Sequence, residues 1–68
     1  MTRLIYDVPS DDAYPLKVEL EQAGYGPVEL SARRLGDRQE VRLTVEDSRS
    51  DGAIALVREH APDAKRWL

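Results

Sequence analysis

The chain has 68 residues, no cysteine, one histidine and a formal net charge of −3. The missing cysteines remove disulfides, zinc–thiolate clusters and thiol nucleophiles together, and the negative balance opposes general attraction to nucleic acid or acidic lipid. A chain this short buries only about 60% of the surface its unfolded form exposes, so residues 1–68 are expected to make one domain with a thin core.

Charged residues at 34% and hydrophobic ones at 41% are a globular rather than a disordered balance. Small secreted domains usually carry covalent staples, so a cytoplasmic, reducing setting is expected. The opening MTRLIYDVPS is charged at Arg3 and Asp7, which fits neither a signal peptide nor a membrane span.

The first element is a strand. TRLIYDV alternates, with Leu4, Tyr6 and Val8 on one face and Arg3, Ile5 and Asp7 on the other. PSDDAYP follows as the loop into a helix. Pro15 has no N–H to donate, so it belongs in the first turn, and Asp12 is the N-cap that places it there. Gly24 then ends the helix as a left-handed residue. At 100° per residue Ala13, Leu16, Leu20 and Ala23 form one stripe, whereas Tyr14, Val18 and Tyr25 fall almost opposite. A helix on a sheet needs one apolar face, so the second group is either a partner surface, or Tyr25 folds back onto the core while Tyr14 covers the loop.

A hairpin comes next. PVELSARR and QEVRLTVE flank a Gly36-Asp37 turn. Pairing Leu35 with Arg38 sets Arg33 against Glu40, Ala32 against Val41, Leu30 against Leu43 and Val28 against Val45, which keeps apolar residues on one side. SDGAIALVREHA reads as a second helix capped by Ser50, with Ile54, Val57 and Ala61 inward, Arg58 and Glu59 outward, and Pro62 as its stop. His60 falls on the edge of the apolar arc, at a helix end that favours it. DAKRWL has the length of a short edge strand.

The order is βαββα with a last β, giving an antiparallel sheet with two helices on one face. That order resembles small ferredoxin-like domains, such as heavy-metal-associated and ACT regulatory domains, over essentially the whole chain. The resemblance implies the fold alone: metal-carrying members hold a Cys-x-x-Cys in the first loop, where this chain has PSDDAYP.

Asp7, Asp11 and Asp12 together would suit a hard cation, but Asp12 is explained as a cap and Asp7 points to the open face of the sheet. DSRSDG matches the start of a calcium loop until Arg49 and Arg58 stand where the third and twelfth ligands belong. His60 has no second histidine or thiol beside it, so no catalytic or metal site and no cofactor is expected. Arg3, Arg33 and Arg42 on the open face would serve RNA, but Asp7, Glu29, Glu40 and Glu46 share that face and no strand aromatic stacks there unless Trp67 does. Trp67 either faces outward beside Ile5, making an apolar spot for a partner or a second copy, or plugs the end of the core.

The expectation is a non-enzymatic protein-interaction domain, an adaptor, regulator or inhibitor of a larger assembly. Its contacts would come from Tyr14, Val18 and Tyr25 first, and from Ile5 and Trp67 second. A dimeric small-ligand sensor of the ACT kind, binding near the first loop, and an RNA-binding sheet are the alternatives.

Overall fold

The computed structural model describes residues 1–67, apart from the side chains of residues 32–35. Strand β1 (Thr2–Pro9) leads into helix α1 (Ser10–Gln22); β2 (Val28–Leu35) and β3 (Arg38–Val45) form a hairpin; helix α2 (Ser50–His60) leads to the short β4 (Lys65–Arg66). The strands make one antiparallel sheet in the order β2-β3-β1-β4.

Period-two alternation puts Leu4, Tyr6 and Val8 of β1 and Val41, Leu43 and Val45 of β3 on the buried face. Ala13, Leu16 and Leu20 of α1 and Ala53 and Val57 of α2 join the same cluster, so both helices cover one face and leave the other open. A fully buried leucine or valine here contributes about 1.5–3 kcal/mol of hydrophobic stabilisation.

Helix α1 begins three residues earlier than the proline suggests. No loop separates it from β1, and the three aspartates lie in β1 (Asp7) and in the first helical turn (Asp11, Asp12). The pairing of Pro9 with Arg38 carries β1 to its last residue, and the Ser10 N–H donates to the Asp37 carbonyl at 2.6 Å, so the chain turns into the helix at once. Asp12 is not the N-cap; Pro9 holds that position, without a side-chain cap. Pro15 consequently lies inside the helix, and the carbonyl it leaves without a donor belongs to Asp11, an exposed residue that water can serve.

The far end of α1 follows expectation. Gly24 has φ +88°, the Tyr25 N–H reaches the Leu20 carbonyl at 2.9 Å and the Gly24 N–H reaches Glu21 at 3.1 Å, the paired bonds of a Schellman ending. Ala23, placed on the apolar stripe by periodicity, is exposed because the helix has already ended there. Glu21 ties this end to β2, accepting from Lys17 at 2.9 Å and from the Val28 N–H at 3.3 Å.

The Lys17 hydrogen bond, and then that of Val28, hold the Glu21 carboxyl below its ordinary 4.5. A lowered folded pKa adds stability above 4.5 and loses it as pH falls through the lowered value. Urea titrations of Glu21→Gln are therefore expected to lose part of the wild-type fall in stability at acid pH. An identical fall in both proteins would contradict that role.

The Gly36-Asp37 turn and the Leu35–Arg38 pair are as expected, with Gly36 at φ +65°. Beyond Arg34–Gln39 the register departs: Leu30 pairs with Val41 and Val28 with Leu43, rather than with Leu43 and Val45. A bulge between Leu30 and Arg34 shifts β2 by two residues, which preserves the face of every side chain and is therefore invisible to alternation. The expected Arg33–Glu40 pair involves a side chain outside those described; Glu40 instead holds Arg42. Buried Gln39 serves the bulge, its amide donating to the Ser31 carbonyl at 2.8 Å. Gln39→Met, which keeps the bulk and deletes the donor, is expected to cost about 1 kcal/mol in urea unfolding.

Helix α2 is preceded by a single 3-10 turn, Asp47–Arg49. Ser50 is its first residue rather than its cap, with the hydroxyl donating to the Asp47 carbonyl at 2.9 Å. Val57 and Ala61 are buried as expected, joined by Ala53, while Ile54 is only partly buried. The inward arc thus runs through residues four apart, and His60 is turned outward, Nε2 3.7 Å from Glu19 of α1. Pro62 follows the helix end.

Candidate functional site

The residues proposed for partner contact fall into three places. Tyr14 is 66% exposed on the outer side of α1, and Val18, four residues on, is half-buried. Tyr25 is spent on the fold. It packs against the core cluster, with the Arg49 guanidinium 4.6 Å above its ring and its hydroxyl against Gly52. The same guanidinium donates to the carbonyls of Gly24 at 3.0 Å and Ala23 at 3.4 Å, so a residue before α2 caps the end of α1.

Ile5 and Trp67 come together. Pairing of Tyr6 with Arg66, and the Trp67 N–H donating to the Ile5 carbonyl at 2.7 Å, place Trp67 beside Ile5 on the open face of the sheet. Trp67 is 71% exposed there, so it does not plug the core. It borders a groove of about 400 Å³ whose other walls include Asp7, Arg38, Glu40 and Arg42.

The groove's charges are organised in pairs. Asp7 of β1 lies directly opposite Glu40 of β3, a like-charge contact that would destabilise the sheet if left alone. Each acid has its own arginine. Arg38 Nε donates to the Asp7 carboxylate at 3.3 Å while its Nη2 reaches the Asp7 carbonyl at 3.1 Å, and Arg42 Nε donates to Glu40. Another bond from Arg38 Nη2, to the Asp63 carbonyl at 3.3 Å, links the rim to the turn after α2.

No family model, curated protein or solved structure matches this chain. The site's own chemistry is therefore the guide. Among the described residues no three His, Asp or Glu side chains gather where a metal ion could sit. Among those same residues, no helix is long and apolar enough to cross a membrane. The open face carries Trp67 beside Ile5, with the Arg38–Asp7 and Arg42–Glu40 ion pairs along the groove.

Sequence reasoning put Ile5, Asp7, Glu40 and Arg42 on the open face, with an outward Trp67 as one alternative, but not Arg38 or the Arg38–Asp7 and Arg42–Glu40 pairs. Arg38 and Asp7 are 31 residues apart, and only the β1–β3 register brings them together.

Proposed function

We propose that the chain is a non-enzymatic protein-binding domain of ferredoxin-like architecture, cytoplasmic, acting as an adaptor, regulator or inhibitor through the open face of its sheet. The strand order β2-β3-β1-β4 with two helices packed on one side supports the ferredoxin-like reading. The observation that carries the binding reading is Trp67, a large aromatic side chain left 71% exposed beside a groove. Interfaces concentrate their free energy in such aromatic anchors, with charged groups around the rim excluding water. The partner this surface fits presents an apolar side chain to the groove and polar groups to the Arg38–Asp7 and Arg42–Glu40 pairs.

Tyr14 and Val18 form a separate, smaller candidate on α1. RNA stacking would use the same Trp67, but Arg38 and Arg42 are engaged by carboxylates and are poor phosphate ligands in that state. A ligand site in a β1–α1 loop has no loop to occupy, since Pro9 passes directly to Ser10.

The test is capture from a lysate of the source organism by wild-type protein, Trp67→Ala and Tyr14→Arg, with and without nuclease. Retention of one protein by wild type and Tyr14→Arg but not by Trp67→Ala, unaffected by nuclease, is the expected result. Loss with Tyr14→Arg alone would move the surface to α1, and loss with nuclease would favour RNA.

A further inference from the structure

We propose that the cleft between the C-terminal half of α2 and β4 is a binding site for a small organic carboxylate with an apolar body. It lies on the helix side of the sheet, away from Trp67 and the groove of the open face. Its volume is about 170 Å³, and Ile54, Val57 and Pro62 contribute apolar walls. Benzene occupies an apolar cavity of about 150 Å³, so a single aromatic ring or a short branched chain fits this space.

Two arginines and a tyrosine share the lining of the cleft with those apolar walls. Arg58, from α2, and Arg66, from β4, both line the cleft. Among the described residues neither is paired with a carboxylate, although the chain carries more acids than bases and Arg38, Arg42 and Arg49 all have partners. Two arginines on the walls of one cleft are suited to the two oxygens of a carboxylate, which guanidinium groups engage with short charge-assisted bonds.

Tyr6 supplies the third group. Its residue is only 4% exposed and belongs to the core, yet its hydroxyl makes no hydrogen bond among the described residues, and Tyr6 lines the cleft. A polar atom at the edge of a core is normally satisfied, and a bound carboxylate would accept a hydrogen bond from this hydroxyl. Burial raises the Tyr6 pKa above 10.0, partly offset by Arg66 and Arg58, so the hydroxyl is a donor at neutral pH.

Each half of the ligand chemistry is separable by probe. Sodium benzoate carries ring and carboxylate, acetate only the charge, and benzyl alcohol only the ring. In titrations followed by backbone amide chemical shifts, benzoate is expected to move Ala61, Ala64 and Arg66 saturably. Acetate and benzyl alcohol are expected to bind at least about tenfold more weakly, a loss of about 1.4 kcal/mol.

Arg66→Ala and Arg58→Ala should each weaken benzoate at least about threefold, since hydrogen bonds to charged groups contribute more than neutral ones. Arg3→Ala, on the opposite face, should leave it unchanged. Both arginines are exposed, so these variants keep the fold. Shifts that never saturate, equal shifts with acetate, or wild-type affinity in the Arg58→Ala/Arg66→Ala double variant would each overturn the site. Capture through Trp67 is independent of every one of these outcomes.

Discussion

Gly52→Ala is expected to destabilise the protein by about 1–2 kcal/mol, although alanine is the better helix former by up to about 1 kcal/mol. Gly52 is the third residue of α2, and a Cβ there would lie well inside van der Waals contact with the Tyr25 hydroxyl oxygen and 3.3 Å from the ring carbon that bears it. The ring cannot yield easily. Its other end follows the Schellman bond to Leu20, and Arg49 lies over its face. Displacing Tyr25 would therefore also disturb the Arg49 bonds that cap α1.

A double-mutant cycle isolates the cause. Tyr25→Phe removes the clashing oxygen and leaves only the 3.3 Å ring contact, so in that background Gly52→Ala should be neutral or stabilising. Chemical denaturation gives all four stabilities. An equal penalty in both backgrounds would show that Tyr25 is not seated against α2, and would return it to the list of free surface residues.

Trp67→Ala is expected to behave in the opposite way, sparing the fold and removing the partner. With 71% of its surface exposed, Trp67 contributes little to folding, and its loss should stay within about 0.5 kcal/mol of wild type. As an interface anchor, however, its truncation should cost at least about 2 kcal/mol of binding, roughly a thirtyfold rise in Kd. Tyr14→Arg should change neither quantity by comparable amounts. A Trp67→Ala protein that melts well below wild type would instead make Trp67 a structural residue of the sheet edge.

Patterning made the elements legible and left their joints unread. Alternation identifies β1 and the hairpin, but it specifies pairing only to the nearest even number, so a two-residue bulge between Leu30 and Arg34 leaves no trace in it. Proline rules place Pro15 in a first turn. They do not anticipate that the strand pairing of Pro9, and Ser10's bond to Asp37, start the helix early and leave an exposed carbonyl at Asp11 for water.

Helix periodicity set Tyr25 opposite the core, but its place past Gly24 also offered a fold back onto the core, and Gly24 at φ +88° turns it that way. The facing of Trp67 is not legible in the pattern. Its facing depends on the register of β4, a strand of two residues that carries no alternation of its own.

The central claim is that Trp67 is the contact residue, and its own fluorescence tests this most directly, because it is the only tryptophan in the chain. Free protein is expected to emit as a water-exposed indole that acrylamide quenches readily. Adding the captured partner should shift that emission to the blue and protect it from the quencher, in step with binding. A partner that binds while Trp67 keeps its free emission and full quenching would contradict the claim, and place the contact elsewhere on the molecule.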